Sequence, residues 1–169
     1  MKKIITVLLC LIAISNLNAQ EKYRVDNHNL KWYVDYDVAR EISLKEKKLT
    51  LLYFTGSDWC GACKLLEDNY FAKKEFKKLS KYFTLCEMDF PKKTFDKEYV
   101  KKHFEKFKRK FEISDKLKAK SYPTIIILDK NENVLGRVVG YLGKDTPKKV
   151  TNLIKAIIDT KTVNGNFRN

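Results

Sequence analysis

Leu49-Thr50-Leu51-Leu52-Tyr53-Phe54-Thr55-Gly56-Ser57-Asp58-Trp59-Cys60-Gly61-Ala62-Cys63 is the stretch from which the rest of the chain can be read. Leu49 to Phe54 is a continuous apolar run of strand length, as expected of a strand buried on both faces, so helices must cover the sheet. The run gives way to a helix at Cys60. There, unpaired backbone N–H groups and the positive end of the helix dipole stabilise a thiolate. Cys63 follows one turn along, within reach of the first thiol. A reversible disulfide between the two would be a two-electron couple exchangeable with other proteins.

Upstream, Met1-Lys2-Lys3 is a basic start, Ile4 to Ile14 an apolar core, and Leu17-Asn18-Ala19 offers a small residue for cleavage, so residues 1–19 read as a secretory signal peptide. The core falls short of the about 20 apolar residues of a transmembrane helix. Cleavage would remove Cys10 and leave 150 of the 169 residues, enough for one domain with a full core, and net charge would fall from +14 to +12. Of the remaining thiols, Cys60, Cys63 and Cys86, one must stay unpaired, and so few bridges in so long a chain argue against a disulfide-stapled scaffold. Export to an oxidising compartment, the periplasm of a Gram-negative bacterium, also argues against nucleic acid as the partner of the excess lysine.

Along the chain, residues 20–31 are polar and irregular and predict a flexible N-terminal arm. Val34, Val38 and Ile42 predict a helix to about Lys45 with Asp35 near its start. After the thiols, the apolar positions from Leu65 to Leu79 predict a helix that bends near Asn69. Tyr82 to Phe90, closed by Pro91, predicts a second central strand, with Cys86 on it as a buried small hydrophobe. In residues 94–113, Val100, Phe104, Phe107 and Phe111 form one stripe of a helix. Lys101, Lys102, Lys106, Lys108, Arg109 and Lys110 form its other face, read as solvated in preference to a docking surface. Ile125 to Leu128 and Val134 to Val139 flank a turn at residues 129–133. Thr146-Pro147 predicts the start of a last helix, as N-cap and first-turn proline, and residues 161–169 read as a frayed tail. The order is that of an α/β domain: a central mixed β-sheet flanked by α-helices, with an extra charged helical insertion around residues 94–113.

Phe54 to Lys64, the strand Leu85 to Phe90, the Tyr122-Pro123-Thr124 triplet and Gly136 to Gly143 together resemble the thioredoxin-fold family, in its exported bacterial form. The resemblance covers most of residues 32–160, the thioredoxin-like domain. It implies a thiol-disulfide oxidoreductase in which Cys60 attacks a substrate disulfide and Cys63, buried, resolves the mixed disulfide. It also implies that Trp59 shapes the substrate surface, that Pro123 is cis, and that Tyr122 supplies a backbone contact to substrate.

Two departures from the family pattern matter. The buried acid that many members carry before the thiols is replaced by Tyr53 and Phe54, which leaves Glu87 on the neighbouring strand as a possible proton acceptor, against a reading in which it reaches solvent. The dipeptide Gly61-Ala62 lacks both the proline of typical thioredoxins and the histidine of oxidising relatives. The expected activity is a reductase or isomerase of protein disulfides more than an oxidase. No flavin or nucleotide motif is present, so no cofactor is expected and a membrane-embedded protein would donate electrons. The alternative is a soft-metal protein, binding or delivering copper through Cys60 and Cys63 with His28 or His103. Zinc is disfavoured, since it asks for four ligands and no second C-x-x-C or H-x-x-x-H exists. A binding module with idle thiols is disfavoured by the joint presence of Cys60, Cys63, Trp59 and Pro123.

Overall fold

The structure, a computed structural model, describes residues 23–92, 101 and 104–163. Residues 1–19, where a signal peptide was expected, the start of the expected arm, His103, most of the first part of the charged insertion and residues 164–169 lie outside the described residues.

Strands β1 (Tyr23–Val25), β2 (Lys31–Tyr33), β3 (Leu49–Thr55), β4 (Phe83–Asp89), β5 (Thr124–Leu128) and β6 (Val134–Val139) form one six-stranded sheet in the order β1-β2-β4-β3-β5-β6. β4 runs parallel to β2 and β3, while β1, β5 and β6 pair antiparallel with their neighbours, so the sheet is mixed. Helices α1 (Tyr36–Lys45), α2 (Gly61–Leu66), α3 (Lys74–Ser80), α4 (Phe104–Lys116) and α5 (Asp145–Val163) accompany it.

The alternation along β3 explains its unbroken apolar run. Leu49, Leu51 and Tyr53 face one core with Leu66, Phe71, Phe76, Ile154 and Cys63, while Leu52 and Phe54 face the other with Tyr36, Ala39, Met88, Ile113 and Leu117. Both faces are thus covered, as the pattern required. Cys86 is buried on the second face, where burial pushes its thiol well above the ordinary range.

The bend expected near Asn69 is a single π-helical turn, Glu67–Phe71, that follows α2 directly and turns Tyr70 and Phe71 into the core. α1 begins where Asp35 accepts a hydrogen bond from the Val38 N–H at 3.1 Å. Asp35→Ala is expected to cost about 1 kcal/mol of unfolding free energy in urea titration, the usual worth of such a cap, and a change below a few tenths would show that the bond contributes nothing.

Three expectations need correction. Residues 23–31 are no loose arm: β1 and β2 form a hairpin in the sheet, turned by Asp26, whose carboxylate accepts from the N–H groups of His28 and Leu30 and from Trp32 Nε1. Polar composition hid this because the hairpin's buried anchors, Leu30, Trp32 and Tyr33, lie at its end. In α4 the buried positions are Phe107, Lys110, Ile113 and Ser114, followed by Leu117 just past its end, while Phe104 and Phe111 are exposed. Lys110 was expected in solvent, but its stem is buried and Nζ donates to the Asp89 carbonyl at 3.0 Å, because a long apolar stem can line a core while the ammonium finds an oxygen at its rim. Finally, α5 (Asp145–Val163) starts one residue before the expected N-cap, and the Thr146 hydroxyl accepts the Leu142 N–H at 2.7 Å from within the first turn.

Candidate active site

β3 ends at Thr55, and the loop that follows is held by the neighbouring strand. Asp89 accepts from the Ser57 N–H and hydroxyl at 2.8 and 2.7 Å, and Asp58 accepts from the Lys92 N–H at 2.9 Å. The N–H groups of Trp59 and Cys60 turn back onto the Gly56 carbonyl. Gly56 is required by close approach, since a Cβ there would stand 2.3 Å from Trp59 Cε2. Trp59 therefore lies flat over the loop, its Nε1 donating to the Phe90 carbonyl at 2.8 Å and its ring edge-on to Tyr122 at 5.4 Å between centroids. Lys92 Nζ stands 4.3 Å over the same ring.

Cys60 caps α2, and its sulfur accepts the Cys63 N–H at 3.2 Å. Cys60 and Cys63 are joined by a disulfide. Their environments differ sharply: Cys60 is half-buried at the helix tip, whereas Cys63 is 1% exposed and belongs to the core. The Tyr122–Pro123 bond is cis, and the Pro123 carbonyl accepts the Gly140 N–H at 2.7 Å, tying the start of β5 to the end of β6. Trp59, Tyr122 and the thiols thus meet at one end of the sheet.

Glu87 is buried beside Tyr53 in the strand register, and its carboxylate is held by both Arg24 Nε, at 2.6 Å, and Arg24 Nη2. Arg24 lies on β1, 63 residues away, so no local pattern could have announced the pair. Tyr53, in place of the family's acid, is 1% exposed and its hydroxyl contacts both the Cys63 carbonyl at 3.2 Å and Glu67 Oε1 at 3.0 Å. Glu67 was not singled out from the sequence, although its place four residues after Cys63, one helical turn on, was legible there. Burial raises its pKa above the ordinary carboxylate range, against the Tyr53 hydrogen bond, which lowers it, and with a smaller push from the Glu87 carboxylate. His28 lies on the β1–β2 turn beside a cavity lined by Tyr53 and Glu67. Among the described residues, no three His, Cys, Asp or Glu side chains converge as for a metal ion.

An accessible sulfur and a shielded one in a single small disulfide, at the end of a mixed sheet and beside a cis proline, define a thiol-disulfide oxidoreductase of thioredoxin architecture. Residues 36–155 match the family model of the thioredoxin-like domain. The chain belongs to that family. It is 30% identical over 125 residues to the disulfide bond reductase DsbH of Chlamydia pneumoniae, covering 73% of this chain and 71% of that protein. It is 25% identical over 162 residues to the thioredoxin-related protein DsbJ of the same organism, covering 95% of this chain but 44% of DsbJ. A solved DsbH oxidoreductase superposes with a TM-score of 0.60 at 29% identity, over 75% of this chain and 85% of that one. A thioredoxin from Thermus thermophilus shares the fold, with a TM-score of 0.54 at 12% identity over 74% and 85% of the two chains. The Cys60–Cys63 disulfide is therefore redox-active, and its reaction partners are thiols and disulfides of other proteins.

Proposed function

We propose that the protein is exported on cleavage of residues 1–19 and reduces protein disulfides outside the cytoplasm, acting as a reductase or isomerase more than an oxidase, with electrons restored by a membrane-embedded donor. The unequal exposure of the two sulfurs is the observation that carries the assignment of roles. Cys60 as thiolate attacks a substrate sulfur, the substrate S–S bond breaks and one substrate thiolate leaves. Cys63 then attacks Cys60 Sγ, the mixed disulfide breaks and the second substrate thiolate leaves. Two electrons pass to the substrate, and the Cys60–Cys63 disulfide remains to be reduced by the donor. Trp59 and Tyr122 offer aromatic surface beside Cys60, and the backbone around Pro123 offers hydrogen-bonding edges to an extended substrate.

The reductive direction is supported by the groups around Cys60. Strong oxidants owe their potential to a heavily stabilised thiolate. Here, among the described residues, the group hydrogen-bonded to Cys60 Sγ is the Cys63 N–H, and Gly61 and Ala62 add no charge. The name of the Chlamydia relative, a disulfide bond reductase, points the same way. Equilibration with a glutathione or dithiothreitol buffer is expected to give a potential nearer the roughly −270 mV of thioredoxin than the roughly −120 mV of a strong oxidant. A potential above about −150 mV would reverse the proposed direction.

A further inference from the structure

The two helical layers of the molecule carry their charge differently. On α1 and α4, the described side chains set the exposed acids Asp37, Glu41, Glu105, Glu112 and Asp115 among the exposed bases Lys45, Lys108, Arg109 and Lys116. Most of these charges are paired. Arg109 meets Asp37 at 2.7 Å and Glu112 at 3.4 Å, Lys108 meets Glu105 at 3.9 Å, and Lys116 meets Glu132. The segment whose sequence suggested a basic docking face therefore satisfies its described charges within the fold.

The opposite layer is strongly positive. α3 and α5 share the core of Leu51 and Tyr53 through Phe76 and Ile154, so they cover one face of the sheet together. Around α3, Lys73, Lys74, Lys77, Lys78 and Lys81 are all exposed, against the single acid Glu75. α5 presents Lys148, Lys149 and Lys155 on one exposed stripe, with Asp145 at its start and Asp159 further on. Among the described residues, the ion pair on this face is Lys155 with Glu75 at 2.9 Å, which also joins the two helices. Lys77 donates to the His28 carbonyl and Lys81 lies over the Tyr82 ring, contacts that leave the positive charge uncancelled.

We propose that the face formed by α3 and α5 docks on an anionic lipid surface. What the face lacks selects lipid over an acidic protein. Among the described residues, no large apolar side chain is exposed on α3 or α5, whereas Trp59, Leu65, Phe111 and Leu142 are exposed elsewhere. Protein interfaces are centred on such anchors and are depleted of lysine. A bilayer needs neither an anchor nor a register, because it presents phosphates continuously, and lysine is a compact charge on a flexible stem that can follow them. The thiols lie at one end of the sheet, and α2 leads through the π-helical turn into α3. A molecule docked by this face keeps Cys60 and Trp59 at the rim, open to a partner held at the same surface.

The docking face rests on the distribution of charge and not on the disulfide-exchange reading. Its test is co-sedimentation of the full chain, at about 0.1 M salt, with vesicles of phosphatidylcholine alone and of phosphatidylcholine and phosphatidylglycerol in equal parts. Binding to the anionic vesicles should exceed binding to the neutral ones at least about tenfold, and the excess should vanish near 1 M salt, where the screening length is about 3 Å. Lys74→Gln, Lys78→Gln and Lys148→Gln together should weaken binding to the anionic vesicles by about a hundredfold, at about fivefold for each lysine. Lys45→Gln, Lys108→Gln and Lys116→Gln together remove the same charge from the other layer and should weaken it by less than about threefold. Exchange with a soluble disulfide should be the same in both sets of variants, which shows that they fold. Equal binding to the two kinds of vesicle, or an equal loss in the two sets, would overturn the proposal. Binding of polyglutamate in preference to the anionic vesicles would overturn it in favour of an acidic protein. Absence of exchange in the wild type would overturn the proposed function and leave the docking face standing.

Discussion

Cys60→Ser is expected to reduce disulfide exchange to the uncatalysed background, a loss on the order of a thousandfold or more, and Cys63→Ser to accumulate a covalent adduct with protein substrates through Cys60. The two variants differ because the two sulfurs differ in access. Cys60 sits half-buried at the tip of α2, where a substrate sulfur can approach along the line of attack. Cys63, 1% exposed behind it, is reached by Cys60 and by little else. Without Cys63 the first step still runs, and nothing breaks the mixed disulfide from within. Without Cys60 the first step has no accessible nucleophile. Non-reducing electrophoresis after mixing with a disulfide-bonded protein, followed by mass spectrometry of the cross-linked peptide, reads both outcomes. Equal trapping by the two variants, or trapping through Cys63 in Cys60→Ser, would reverse the assigned roles.

Trp32→Ala is expected to destabilise the fold by about 3–5 kcal/mol, the range for deleting a fully buried aromatic. Trp32 is 2% exposed, with its ring 5.1 Å from Phe71, 5.9 Å from Tyr53 and 6.5 Å from Phe76 between centroids. Its Nε1 also satisfies Asp26, so truncation leaves a cavity and frees the carboxylate that turns the β1–β2 hairpin. Urea unfolding should show the midpoint falling with little change in slope. Val25→Ala, on the exposed edge of the same hairpin, should stay within about 0.5 kcal/mol of wild type and serves as the control. A cost below about 1 kcal/mol for Trp32→Ala would return this segment to the status of a loosely attached arm.

Local signals were legible wherever one side chain reported on its own backbone. The apolar run Leu49 to Phe54, the cap at Asp35, the helix break near Asn69 and the turn at Asp129 to Asn133 all rest on forces that act within a few residues. Each appears where the sequence placed it, to within a residue or two. The hairpin at Tyr23 to Tyr33 was not legible, because its strands are three residues each and its stability comes from pairing with β4, some 50 residues on. The inward turn of Lys110 was missed for a related reason. A lysine is polar by composition, and its burial is tolerable because Nζ reaches an oxygen such as the Asp89 carbonyl, which no local pattern announces.

At the thiols, the same division holds. From spacing and context alone, Trp59-Cys60-Gly61-Ala62-Cys63 after a buried strand determined the reaction, since two thiols one helical turn apart at a helix start can form and break one small disulfide. Which sulfur is shielded, which peptide bond is cis and which carboxylate the buried Tyr53 hydroxyl meets were decided by tertiary structure. Those outcomes depend on packing between β3, β4, the β1–β2 hairpin and α2, elements far apart in the chain. Glu87 and Glu67 look alike as letters. Arg24, brought over from the N-terminal strand, pairs with the first, and the second meets the buried Tyr53 hydroxyl, which also reaches the Cys63 backbone carbonyl.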